Sequence, residues 1–451
     1  MATTTAPVLL QPPAFTWPGE LEPVKEITTR EQLVKHLYAA AQVELSTIPP
    51  YLFAAYSIKT KGYSQWAPGK GALRTLIGVA IEEMLHLCLV RNVMIGIGAG
   101  DRIRFCDRNF VPTYPSDLKH RKPDLKLELA PLSDALVRDV FLAIEKPSVP
   151  VPELLSAGQV LEDGIVYENE DAIQYASIGE LYKRIIKGLE DLSKAGKISF
   201  GTGEELKRRK LLQYKRAYWN EYGGGRTIVV ENLETAKKAL NTVIDQGEGA
   251  DPAKGTVPLD PANPRPGLEE YTHYVRFQRM LKHIEGIGIV DGTREGSVNI
   301  ESDDAVRHYA VPNPHVADEN ITDTAKKLMR LFNASFTYML RLLDQLYATP
   351  TNDVDGDGHS NRYHMERVFI ALMQGVLYPV AELMMRRATD DNGRAVGPSF
   401  EFHTFTLGHG EDLRKALEKL CADAMVDFPE LGGDDGVARQ IGLLYPGITV
   451  S

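Results

Sequence analysis

The sequence predicts an all-α protein: a four-helix bundle with long crossover insertions, followed by a second helical bundle in the C-terminal part of the chain. Three observations lead there. Long segments carry apolar residues at helical spacing, while strand-like runs are few and short. A Glu-x-x-His motif, Glu83 to His86, sits in the middle of one apolar run, and a second, Glu270 to His273, opens a later helical segment. Residues three apart on a helix share a face about 5–6 Å apart, so both heads of each motif can reach one ion.

Composition narrows the classes. A chain of 451 residues suits two or three domains, and 43% hydrophobic with 25% charged residues is the balance of a folded globular protein. A net charge of −10 argues against a nucleic-acid partner, because phosphate contacts need concentrated Lys and Arg. Only three cysteines occur, Cys88, Cys106 and Cys421, so neither a disulfide framework nor a thiolate zinc site is expected, and reducing cytoplasm fits. The start has no basic region followed by an apolar core, and no run of 18 apolar residues exists, so neither a secretory signal nor a membrane span is expected.

In chain order, five prolines before residue 24 predict an extended or disordered strap over residues 1–27. Thr28 or Thr29 caps a first helix with Leu33, Leu37, Ala40 and Val43 on one side. Glu44 interrupts that side, and Pro49-Pro50 should kink the helix by removing two N–H groups. The Glu83/His86 helix spans about 71–95 and ends at Gly96-x-Gly98. Residues 100–132 read as irregular, with a short strand at Leu125–Leu129. Ser133 then caps a helix to Ile144, and residues 153–172 read as an exposed acidic stretch. Further helices are expected at Ile178–Leu192, at Leu233–Ile244 and over 268–285. Between the first two lies a Gly-rich region with a strand-like run, Thr227–Val230. Residues 28–290 thus form the metal-binding bundle. Residues 300–451 form a C-terminal helical domain with helices at 321–347, 362–388 and 410–426.

Two Glu-x-x-His motifs, with lone glutamates on two other helices, are the layout of di-iron or di-manganese carboxylate bundles. The candidate ligands are Glu44, Glu83, His86, Glu180, Glu270 and His273. Four buried carboxylates would repel one another, and two divalent ions cancel their charge. Oxygen and imidazole donors without thiolate favour iron, or else manganese, with zinc possible by affinity alone. Each residue also has a plainer role. Glu180 stands three after Ser177 at capping-box spacing, and Glu270 sits where any carboxylate gains from the helix dipole. Glu82 points off the face that His86 uses, so it stands behind the ligands or in water. Glu248 could replace Glu180. Separately, Asp353, Asp355 and Asp357 match the first half of a calcium loop; because His364 stands where the closing Glu is needed, an acidic surface turn is the preferred reading.

The segments Glu44–Leu52, Glu82–Leu87, Ser177–Tyr182, Gln246–Gly249 and His273–Phe277 resemble, in order, the signatures of the ferritin-like domain found in iminophenyl-pyruvate dimer synthases of bisindole pigment biosynthesis and in stand-alone bacterial proteins. The resemblance covers about residues 28–285. It implies a ferritin-like bundle holding two divalent metal ions at the six ligands above. It further implies an oxidoreductase that activates dioxygen or peroxide to oxidise or couple a small aromatic amine or imine. Tyr51, Tyr182 and Tyr274 would line the substrate pocket or simply pack in the core. The alternatives are metal binding or storage without turnover, or a scaffold in a biosynthetic complex. The expected partner is a small molecule, and a homo-oligomer is compatible with this reading.

Overall fold

Helix α1 (Arg30–Tyr56) starts at Thr29, whose hydroxyl accepts from the Gln32 N–H while the Gln32 side chain accepts from the Thr29 N–H. This reciprocal cap satisfies two donors that a helix start leaves open. In the computed structural model, residues 26–59, 71–147, 175, 177–215, 224–247, 255–259, 264–265, 269–282, 307–406 and 411–448 are described. The proline-rich start, the acidic stretch 153–172 and Glu248 lie outside them.

Both α1 and α2 (Ala72–Gly96) are buried on nearly every side. A helix apolar all round has to be covered all round, and here two helical layers do the covering. On one side stand α4 (Ile178–Lys194) and α6 (Leu233–Gly247), each apolar along one stripe only: Leu181, Ile185 and Leu189 on α4, Ala236, Leu240 and Val243 on α6. Neighbours run α1–α2–α6–α4 and back to α1, a closed four-helix bundle. On the other side lie α8 (Asp323–Ala348) and a long α9 (Asn361–Arg387), backed by α10 (Leu413–Met425) and the short α11 (Val437–Gly442). One hydrophobic cluster of buried side chains runs through both layers.

The crossover between the two helix pairs holds α3, Asp134–Ile144, whose middle turn Val137–Phe141 is wound as a π-helix. Short antiparallel pairs, β1 (Ser116–Asp117) with β2 (Lys126–Leu127) and β3 (Thr256–Pro258) with β4 (Glu269–Tyr271), brace the connections. Helix α7 (His273–Leu281) packs across the bundle against α2, α3 and α6. By length and composition α9 could cross a membrane, yet its Leu372, Val376, Val380 and Met384 are buried within the fold, as in a core helix. All three cysteines are free.

Several expectations need amending. Gly203–Leu212 forms α5, a strongly charged helix within the region read as Gly-rich loop, and Thr227–Val230 forms no strand. The helix expected from 268 starts only at His273, because Glu269–Tyr271 is engaged in β4. Pro49 and Pro50, where the sequence predicts a kink, lie inside α1, which continues to Tyr56. Pro50 leaves the Ser46 carbonyl without its helical donor, and the buried Tyr114 hydroxyl donates to that carbonyl at 2.7 Å. Tyr114→Phe should therefore orphan a buried acceptor and lower the unfolding free energy by about 1–3 kcal/mol, measured by urea denaturation.

Candidate metal centre

Glu44 lies mid-way along α1, and Glu83 and His86 lie one turn apart on the facing stretch of α2. Glu145 caps the C-terminal end of α3, and His273 is the first residue of α7. All five are buried, none more than 6% exposed. Donor atoms of Glu44, Glu83 and His86 lie within 4.8 Å of one another, as do those of Glu83, Glu145 and His273. Glu83 belongs to both groups. Its Oε1 is 3.4 Å from His86 Nδ1 and 3.2 Å from His273 Nδ1. Glu44 Oε2 stands 3.3 Å from His86 Nδ1, and Glu145 Oε2 stands 3.3 Å from His273 Nδ1.

The second oxygen of each carboxylate is held by a hydroxyl. Tyr182 donates to Glu44, Thr47 donates to Glu83 at 2.8 Å, and Tyr51 donates to Glu145 at 2.6 Å. Tyr51 is itself wedged between Phe141 and Phe277, with ring centroids 4.9 and 5.3 Å away. These tyrosines thus point at carboxylates, beyond a simple packing role.

The far nitrogens of both imidazoles face acceptors. His86 Nε2 is 3.0 Å from the Gln246 side-chain oxygen Oε1, and His273 Nε2 is 2.6 Å from Glu82 Oε2. With Nε2 carrying the proton, each neutral ring turns a lone pair at Nδ1 toward the carboxylate row. Lone pairs facing anions repel, so either protons or cations must sit between them. His273 Nδ1, fully buried, makes no hydrogen bond among the described residues. An all-oxygen-and-imidazole set in two donor groups, with His273 Nδ1 unsatisfied, fits two divalent ions.

Titration behaviour follows from the same crowding. Burial, and then the Glu83 charge, push the Glu44 carboxyl up to about 8. For His86 burial works the other way, but Glu83 and Glu44 outweigh it and raise the imidazolium to about 10. His273 is likewise raised, burial being overcome by Glu145, Glu82 and Glu83. Glu83 is held low despite its burial by the two imidazoles.

Behind the row, Glu82 is ionised and fully matched. Burial opposes its charge, but Arg276 and His273 bring it down to about 2. The Arg276 guanidinium donates to it at 3.0 and 3.2 Å, and the Gly224 N–H donates at 2.6 Å. The Gly224 carbonyl also accepts from the Gln246 amide at 3.0 Å, so one residue steadies the partners of both histidines. A Cβ at Gly224 would lie 2.0 Å from Glu270 Oε1 and 2.8 Å from the Leu259 backbone carbonyl, which favours glycine there.

The structure brings together Glu44, Glu83, His86 and His273 from the expected set; Glu180 and Glu270 stand elsewhere. Glu180 sits in the first turn of α4, over a third exposed, with Arg184 at 3.2 Å, and its backbone N–H is capped by Ser177. Tyr182, two residues on, is the α4 side chain that reaches the row. Glu270 lies on β4 and pairs with Arg276 at 2.8 Å. Because that motif straddles a strand and a helix start, the shared-face geometry of one helix is lost. Glu145 supplies the third carboxylate instead, and its only sequence signal is a carboxylate closing the apolar stripe of Val140, Phe141 and Ile144. At the separate acidic turn, Asp355, Asp357 and His359 form an exposed group, and Asp355 Oδ1 accepts from the N–H groups of Asp357 and His359. Asp353 instead accepts from the Asn361 amide at 3.2 Å.

A family model described as ferritin-like matches residues 37–282. The chain is 26% identical over 400 residues to a dichlorochromopyrrolate synthase of Lentzea aerocolonigenes, covering 83% of this chain and 36% of the relative. It is 26% identical over 428 residues to a 2-imino-3-(indol-3-yl)propanoate dimerase of Chromobacterium violaceum, covering 86% and 35% respectively. The chain therefore spans about a third of the length of these curated relatives. A crystal structure of a ferritin-like protein from Caulobacter vibrioides, 19% identical, aligns over 83% of this chain and 100% of that one with a TM-score of 0.48.

Two outcomes are expected. Metal loading near neutral pH should release up to three protons, one each from His86, His273 and Glu44, seen by titration in weakly buffered solution. In metal-free protein, the raised Glu44 carboxyl removes stability as pH climbs from 4.5 to about 8. The raised His86 contributes stability below its ordinary 6.5 that is lost through about 10. Both signs agree, so the melting temperature of metal-free protein should fall toward alkaline pH, and scanning calorimetry with and without divalent metal checks it.

Proposed function

The chain belongs to the ferritin-like family, and on that premise we propose that it is a non-haem di-metal oxidoreductase acting on a small aromatic amine or imine. The observation that carries this reading is the row of three free carboxylate oxygens and two Nδ1 atoms in which Glu83 is shared between two donor groups. Glu44 and His86 would hold one ion, Glu145 and His273 the other, and Glu83 would lie between them. Iron at such positions supplies redox chemistry with dioxygen or peroxide.

The protein's own part is positioning, desolvation and charge. Tyr182, Thr47 and Tyr51 fix one oxygen of each carboxylate and leave the other free. Three carboxylates against two divalent ions leave one positive charge in excess, which favours a substrate carrying an anionic group. Access is narrow. The cavity opening on Glu44, Glu83, His86 and Glu145 measures about 20 Å³, room for about one water. Its outer lining includes Ile178, Gly179, Gly247 and Lys146, and the Lys146 ammonium offers a partner for an incoming carboxylate. The names of the two relatives, a chromopyrrolate synthase and an imine dimerase, support an indole-type imino acid as the substrate class.

The test is oxygen consumption after adding iron(II) to metal-free protein, with and without aromatic imino acids generated in place. Faster uptake with substrate, together with two irons per chain, is expected. Binding without substrate-dependent uptake would leave metal storage, and no metal binding would leave a scaffold. Glu145→Ala should reduce the stoichiometry toward one iron and cut turnover by about 10²-fold or more, whereas Glu180→Gln should change neither.

A further inference from the structure

A second cavity, of about 190 Å³, lies between α1/α2 and α8/α9, along a different face of α1 and α2 from the carboxylate row. On α1 it is lined by Leu45, Ile48, Pro49, Leu52 and Tyr56, and on α2 by Ile77, Ile81, Met84, Leu87 and Cys88. Helices α8 and α9 close it, with Phe336, Met339, Leu343, Phe369 and Met373 among the walls. From Leu45 to Tyr56 the helix rises about 16 Å, at about 1.5 Å per residue, so the space is long and narrow.

Its chemistry is one-sided. No Asp, Glu, Lys, Arg or His is among the described lining residues; the polar groups are Gln374, the Cys88 thiol and the hydroxyls of Tyr56, Tyr214 and Tyr347. Leu52, Met84, Met339, Leu343, Phe369 and Met373 remain only partly buried although they pack against the core cluster. Interiors rarely leave voids larger than a water. An apolar cavity of about 150 Å³ stays dry and takes up benzene, and three methionines give these walls shape tolerance.

We propose that this cavity is a binding site for one elongated, uncharged, apolar small molecule on the scale of two joined aromatic rings. The site disfavours a free amino or imino acid, since no charged group among the described lining residues would compensate the buried charge. It is therefore distinct from the carboxylate row, which favours an anionic substrate. The occupant rests on the same turns of α1 and α2 that carry the row, because Leu45 follows Glu44, Met84 follows Glu83 and Leu87 follows His86.

Titration of the full, metal-free chain with N-phenyl-1-naphthylamine tests this independently of any turnover. Saturable binding at one site per chain is expected, with a blue-shifted emission. Met84→Trp and Leu343→Trp, which fill the space from opposite walls, should each weaken it by about tenfold or more. Anilinonaphthalene sulfonate, with similar rings and a fixed negative charge, should not displace the probe. Circular dichroism identifies variants that keep the fold. Should neither do so, 4-bromobiphenyl soaked into crystals of the unaltered chain should place its bromine between α1/α2 and α8/α9. Absence of saturation, equal binding by a folded filled variant, displacement by the sulfonate, or bromine located elsewhere would overturn the proposal. A chain segment already filling the space would show itself as absence of binding and would overturn it equally.

Discussion

Three carboxylates and two imidazoles buried inside one helical core are the constraint to which the surrounding structure answers. Isolated charges in such a place are costly, and the fold accepts them only because each is fixed from two sides. One side is the shared row of oxygens and Nδ1 atoms. The other is a set of neutral partners, Tyr182, Thr47, Tyr51 and Gln246, with Glu82 as the ionised exception. Glu82 tolerates full burial because Arg276 and His273 both lie against it. Charge matching thus proceeds in layers, from the row outward to an arginine only partly buried.

That arrangement explains why pieces far apart in the chain are tied to one another. Gly224 belongs to no helix, yet its N–H and C=O steady the partners of His273 and His86 at once. Helix α7 is short and crosses the bundle instead of extending it, which delivers His273 opposite Glu83. The π-turn of α3 packs against α7 and brings Phe141 beside Tyr51 and Phe277. Local irregularities of this kind are common where a side chain must be aimed.

The two central helices serve two layers. Their inward face carries the polar row, and their outward face meets α8 and α9 across an apolar cavity. A helix in this position cannot be amphipathic in the usual sense, so α1 and α2 look hydrophobic all round while α4 and α6 keep one wet side. Pro49 and Pro50 are accommodated in the same logic: Tyr114 supplies the donor that Pro50 removes, and Pro49 faces the cavity.

Periodicity by itself set the helical class, the order of the main helices and their boundaries to within a few residues, because helix formation answers to local apolar spacing and caps such as Thr29, Ser133 and Ser177. It also marked Glu83 and His86, since a carboxylate and an imidazole one turn apart in an apolar run stand out from their neighbours. Glu145 was not legible: it ends a helix, has no histidine at fixed spacing, and gains meaning only where the π-turn and α7 carry it. Glu180 and Glu270 had suitable sequence spacing but lay in a solvent-facing first turn and a strand. Which carboxylates converge is decided by how helices and crossovers pack in three dimensions, and no spacing along one segment encodes that.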